Sequence, residues 1–125
     1  MAALREIVVD CGHAPSLARF WAAVLDDYDV LPYDDAEVER LAALGLTPET
    51  DPTVAVGGPG PTLFFQQVPE RKTVKNRVHL EVEAADRQAE VDRLLALGAS
   101  VHSVHERWTT MLDPEGNEFC VTDAG

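Results

Sequence analysis

Apolar residues recur along this chain with two periods, and the switches between them mark out its elements. Residues 6–11, Glu-Ile-Val-Val-Asp-Cys, form a β-rich run. From Pro15 the spacing lengthens: Leu17, Phe20, Trp21, Val24 and Leu25 fall at i, i+3, i+4, i+7 and i+8. That is one apolar stripe of a helix, and a proline suits its first turn. Residues 28–33 read as a second strand. Asp34 or Asp35 then caps a short helix with Val38, Leu41 and Ala42 inward, ending at Gly45. Strands at 54–56 and 62–68 flank Gly57-Gly58-Pro59-Gly60-Pro61. This segment is a turn and not a phosphate loop, because it lacks the Lys-Ser/Thr pair and its prolines remove the amides a phosphate needs.

The second half repeats the plan. Residues 77–83 read as a strand, 85–97 as a helix with Val91, Leu94 and Leu95 inward, stopped by Gly98. Strands follow at 101–104, 109–112 and 118–122. The order βαβββ thus occurs twice, with the second copy about seventy residues after the first. We expect a single domain over 1–125, with module 1 at about 4–70, a helical insertion at 34–45, and module 2 at about 74–123. The fold class is α+β. Each half alone exposes one sheet face, so the two sheets are expected to curl around a cleft.

Composition narrows the function. An apolar content of 46% fits a globular core, and 125 residues suffice to bury one without staples. No apolar run approaches membrane-spanning length, and the N-terminus lacks a signal peptide's apolar region. Two cysteines, Cys11 and Cys120, make no disulfide framework, so a cytoplasmic protein with reduced thiols is expected. A net charge of −12 disfavours nucleic acid and favours a cationic small molecule, if it does more than maintain solubility. Four of the ten basic residues, Arg71, Lys72, Lys75 and Arg77, cluster as a solvated linker or, alternatively, an anion-attracting patch.

One hairpin carries more information than the rest. Trp108 to Val121 reads Trp-Thr-Thr-Met-Leu-Asp-Pro-Glu-Gly-Asn-Glu-Phe-Cys-Val, two strands about a tight turn. Pro114 presets the turn dihedral, Gly116 accepts a positive φ, and Asp113 and Asn117 can bond the local backbone. This stretch resembles the final hairpin of the vicinal oxygen chelate superfamily, the glyoxalase, bleomycin-resistance and extradiol-dioxygenase group. The resemblance implies paired βαβββ modules over nearly the whole chain. It also implies a metal quartet, usually two histidines and two glutamates, at Glu6, Gln66, His79 and Cys120.

Strand parity supplies the cleft-facing residues. Val78, Leu80 and Val82 alternate with Arg77, His79, Glu81 and Glu83, so the polar set faces the cleft; Glu6, Val8 and Asp10 do so in the first strand. Phe65-Gln66 is matched to Phe119-Cys120, and Glu6 to His79. A glutamine, a thiol, an imidazole and a carboxylate suit no single ion, so no metal or other cofactor is expected. The expected ligand-binding residues are Glu6, Asp10, Phe64, Gln66, His79, Glu81, Trp108 and Cys120. Cys120, between Phe119 and Val121, reads as a small buried residue rather than a nucleophile. His102 and His105, three apart in a strand, face opposite ways, which excludes a chelating pair.

The expected function is binding of a small organic molecule in the cleft without a metal, as in drug-binding members of the superfamily. Four cleft carboxylates, Glu6, Asp10, Glu81 and Glu83, with Phe64 and Trp108 as stacking surface, favour an aromatic or cationic ligand. The rival is a metal-dependent lyase, isomerase or dioxygenase, with Glu6, Gln66 and His79 as ligands and Glu81 or Asp10 as base. A third reading is an accessory domain that dimerises without ligand. A homodimer is expected, since open sheets leave edges that need cover.

Overall fold

The computed structural model describes all of residues 1–125. The chain divides into two compact units, Met1–Arg71 and Lys72–Gly125, and each is built on one four-stranded sheet. The first contains β1 (Glu6–Cys11), α1 (Ala14–Val24), β2 (Asp29–Val30), α2 (Asp35–Ala43), β3 (Thr53–Gly57) and β4 (Thr62–Gln67). Its strand order is β1-β4-β3-β2, parallel between β1 and β4 and antiparallel elsewhere. The second contains β5 (Leu80–Ala84), α3 (Arg87–Ala96), β6 (Ser100–Val104), β7 (Trp108–Leu112) and β8 (Glu118–Asp123). Its order, β5-β8-β7-β6, repeats the first with the same strand directions. The α+β fold of βαβββ modules read from the sequence is the fold found.

Alternation decides which sheet face meets which helix. In the first unit Leu17, Phe20, Trp21 and Val24 of α1 are buried, as are Val54, Val56, Leu63 and Phe65 of the sheet beneath. In the second, Val91 and Leu94 of α3 are buried with Met111, Phe119 and Val121. Phe65 and Phe119 are wholly enclosed, and each such ring contributes roughly 1.5–3 kcal/mol by leaving water. The helices start at polar caps that satisfy otherwise orphaned amides: Asp34 accepts from the Glu37 N–H at 2.8 Å and Asp86 from the Ala89 N–H at 3.1 Å. For α1 the cap is His13, whose Nδ1 accepts from the Ser16 N–H at 3.2 Å.

The β7–β8 turn forms as its residues dictate. Asp113 Oδ1 accepts from the N–H groups of Glu115 and Asn117, at 2.9 and 3.0 Å, and Gly116 holds φ at +87°.

Five sequence expectations need correction. The strand expected at 28–33 is only two residues long, Asp29 and Val30, set opposite Gly57 and Val56 of β3. α2 buries Leu41 alone: Val38 and Ala42 lie exposed, since so short a helix turns only one large apolar residue inward. In α3, Leu95 is likewise exposed. The strand expected from Arg77 starts only at Leu80, and Val78 is 77% exposed instead of facing the helix. The cause is Glu118, the first residue of β8. Its carboxylate accepts from the Asn76 N–H at 2.8 Å and pairs with Lys72 Nζ at 2.9 Å. The chain before Leu80 is therefore tied to the β8 side chain instead of running along its backbone. Lys72 is part of that anchor, and not of a solvated linker.

Candidate functional site

With one face of each sheet closed by a helix, the chemistry lies on the other. In the second unit the pairing register sets Glu81 opposite Cys120, Cys120 opposite Thr110, and Thr110 opposite Ser103. Directly opposed residues share a face, so these four form one polar row crossing β5, β8, β7 and β6. The adjacent row holds Glu83, Thr122 and Trp108.

At one end of the polar row three donors converge. His79 Nε2 lies 3.6 Å from Glu81 Oε2, and the ligand atoms of His79, Glu81 and Cys120 all fall within 4.8 Å of one another. The Cys120 thiol is buried and lies 3.5 Å from Thr110 Oγ1. Beside this trio opens a recess of about 490 Å3 lined by Glu81, Arg107, Trp108, Thr122, Asp123 and the C-terminal Ala124 and Gly125. Trp108 is 40% exposed and stacks on His105, ring centroids 4.4 Å apart. Asp123 is held by Arg87 Nε at 3.1 Å.

The anchor that precedes His79 is electrostatically distinctive. Burial of Glu118 opposes its charge, but the Asn76 amide and the Lys72 ammonium outweigh that penalty and hold its carboxyl down at about 2. Asn76 Nδ2 also donates to Asn117 Oδ1 at 3.2 Å, so the segment leading to His79 is pinned to the β7–β8 turn at three points.

The sequence-predicted residues fall into two groups. His79, Glu81, Trp108 and Cys120 lie together on the second unit. Glu6, Asp10, Phe64 and Gln66 share the open face of the first, where Asp10 pairs with Gln66 and Val8 with Phe64. The correspondence between halves shifts by two residues at one position. β1 and β5 each end two residues before their helix cap, so Val8–Phe64 matches Glu81–Cys120. Phe64, and not Gln66, is the counterpart of Cys120 in this register. Sequence reasoning missed Ser103 and Thr110, which only register reveals. It missed Arg107, Thr122 and Asp123 because nothing in their local sequence sets them apart.

A divalent ion, which the superfamily resemblance implies, can be tested against these donors. Imidazole, carboxylate and thiol within 4.8 Å of one another offer three positions of a tetrahedral zinc-type site and leave one open. The set fits a borderline ion such as zinc better than a hard one such as magnesium. Of the quartet matched from sequence, His79 and Cys120 converge, and Glu81 is a third donor beside them.

Comparison with known proteins bears on the whole chain. No curated protein sequence matches it. Among solved structures, the fosfomycin resistance protein FosX from Mesorhizobium loti is similar, with a TM-score of 0.69 and 12% identity, covering 100% of this chain and 94% of that one. Trypanothione-dependent glyoxalase I from Leishmania major has a TM-score of 0.65 and 15% identity, covering 98% and 87%. A glyoxalase/bleomycin resistance/dioxygenase family enzyme from Burkholderia phytofirmans gives 0.65 and 14%, covering 98% of both chains. At these identities the likeness establishes the fold. The glyoxalase-like domain model matches residues 6–122, nearly the entire chain, and the protein therefore belongs to the glyoxalase-like domain family, within the vicinal oxygen chelate superfamily.

Proposed function

We propose that the protein binds a small organic molecule on the open face of its second sheet, through side chains alone, with cationic or aromatic molecules preferred. The observation that carries this reading is the recess between Glu81 and the exposed Trp108. Its size falls in the range of small-molecule sites. Carboxylates from Glu81 and Asp123 give its rim negative potential, and the indole offers a face to a cation or a flat ring. Arg107 opposes this at one edge. A thermal-shift screen of cationic aromatics against carboxylate and phosphate metabolites tests the preference. Cations should raise Tm, and Glu81→Gln should reduce that rise; stabilisation by anions alone would overturn it. The open face of the first sheet, with Glu6, Asp10, Phe64 and Gln66, is proposed as a ligand-contacting surface in its own right. Two free thiols suit a reducing cytoplasm. A homodimer is proposed because the outer strand β6 leaves Val101 and Val104 exposed; sedimentation at tens of micromolar decides.

The convergence of His79, Glu81 and Cys120 favours a second reading, in which these three hold a divalent ion. Such an ion would act as a Lewis acid on neighbouring substrate oxygens. One similar structure, a FosX mutant from Listeria monocytogenes, was solved with Mn(II) and 1S,2S-dihydroxypropylphosphonic acid. Elemental analysis of protein purified without chelators separates the readings: near one equivalent per chain, lost in His79→Ala, makes the metal reading primary.

A further inference from the structure

β6 is irregular where the polar row reaches it. The pairing between β6 and β7 shifts between Val101 and Ser103, so that Val101 faces Met111 but Ser103 faces Thr110. His102 is the extra residue of a bulge. Without it, Ser103 would fall opposite Thr109, which is buried on the helix-covered face. The bulge therefore turns the Ser103 hydroxyl onto the open face, the re-aiming that bulges perform beside binding sites.

The hydroxyl arrives in prepared surroundings. Ser103 Oγ lies 3.0 Å from His105 Nε2, and the His105 ring stacks on Trp108 with an interplanar angle of 19°. The turn that carries His105 is braced from α3. Arg87 donates through Nη1 to the His105 carbonyl at 2.9 Å and through Nη2 to the Glu106 carbonyl at 2.7 Å, while its Nε holds Asp123. A solvated hairpin turn needs no such bracing. Between this end and the His79–Glu81 end, the row is floored by Thr110 and Cys120, both short side chains.

We infer that Ser103, His105 and Trp108 form a second anchoring subsite, across the sheet from Glu81, for a planar nitrogen-bearing group such as an amidine, amide or heterocyclic N–H. A serine hydroxyl has one proton and two lone pairs, so Ser103 can bond His105 at 3.0 Å and His102 Nδ1 at 3.4 Å and still accept once from a ligand N–H. The stacked rings supply the flat wall. Glu81 and Ser103 stand on strands three steps apart, about 14 Å at ordinary strand spacing. The ligand class is therefore an elongated molecule with a cation at one end and a planar N–H group at the other. This inference rests on the proposed ligand-binding reading of the same face.

The test uses two probes, benzamidine and a rigid bis-benzamidine with about 14 Å between its amidine carbons, spanning the three strand steps. Binding is measured by calorimetry and by Trp108 fluorescence, Trp21 being buried. The bis compound should bind about tenfold more tightly than benzamidine. Ser103→Ala should weaken it about fivefold, the loss of one hydrogen bond, and weaken benzamidine less, while Glu81→Gln weakens both. A bis compound no tighter than benzamidine, or indifferent to Ser103→Ala, overturns the subsite, and a persisting Glu81→Gln effect then leaves the ligand-binding reading intact. If Glu81→Gln alters neither probe, that broader reading fails and the subsite with it.

Discussion

The two open sheet faces share a backbone plan and differ in almost every side chain. The row Glu81–Cys120–Thr110–Ser103 of the second unit has a counterpart in the first: Val8, Phe64, Ala55 and Leu31. Val8 pairs with Phe64, Phe64 with Ala55, and the Leu31 N–H donates to the Ala55 carbonyl at 3.0 Å. One row is polar throughout and the other apolar throughout. Val8 and Leu31 remain about half exposed, at 50% and 49%. The helix-covered faces, by contrast, are alike in both halves, built chiefly from apolar side chains around one enclosed phenylalanine. Packing against a helix constrains one face of each sheet equally, and the freed face carries a polar central row in one half and an apolar one in the other.

If the covered faces are equivalent, truncating their central rings should cost the same in each half. Phe65→Ala and Phe119→Ala are each expected to lose about 3–5 kcal/mol, read from urea denaturation; a loss below about 1 kcal/mol in either would show that half to be loosely packed. The tether at Glu118 should come next, and it has no partner in the first unit. Glu118→Ala leaves the Asn76 amide and Lys72 without their acceptor, at a cost of about 1–3 kcal/mol. Because the carboxyl is depressed from 4.5 to about 2 in the fold, its contribution is full above pH 4.5 and drains away as pH falls towards 2. Glu118→Gln should flatten that part of the acid-stability curve, and an unchanged curve would argue against the tether.

The α1 cap is a smaller asymmetry. His13→Ala should cost about 1 kcal/mol, and His13→Asp, which copies the caps of the other helices, should restore it. Smallest of all, Val8→Ser and Glu81→Val should each change stability by no more than about 0.5 kcal/mol, as surface substitutions do. If Val8→Ser costs more than about 1 kcal/mol, the apolar row is covered in solution and the comparison of two free faces breaks.

Sequence periodicity captured what periodicity encodes. The alternation in β1, β3, β4, β7 and β8, the stripe of α1 and the Asp113–Asn117 turn are local signals, and each formed where it was read. The misses are non-local. Nothing near Arg77 announces that the Glu118 carboxylate will hold Asn76 and delay β5. The bulge at His102 carries no glycine to betray it, so nothing in the sequence of β6 singled out Ser103. His79 and Glu81 were picked out by parity and Cys120 by the family resemblance, but their convergence depends on the β5–β8 register, which no single strand contains. The match of Gln66 to Cys120 is off by two residues for the same reason: Phe-Gln and Phe-Cys look alike locally, and only the pairing to β1 and β5 decides.

In each half the first strand finds its neighbour in the last, β1 beside β4 and β5 beside β8. A chain emerging from the ribosome can therefore coil α1 at once, but β1 must wait until nearly every residue of its half has been made. The early-made strand, with Val8 half bare, stays unpaired through that interval. Closure of each half is then a single late event, which favours folding one half at a time and makes a stalled or truncated chain a strand in search of a partner.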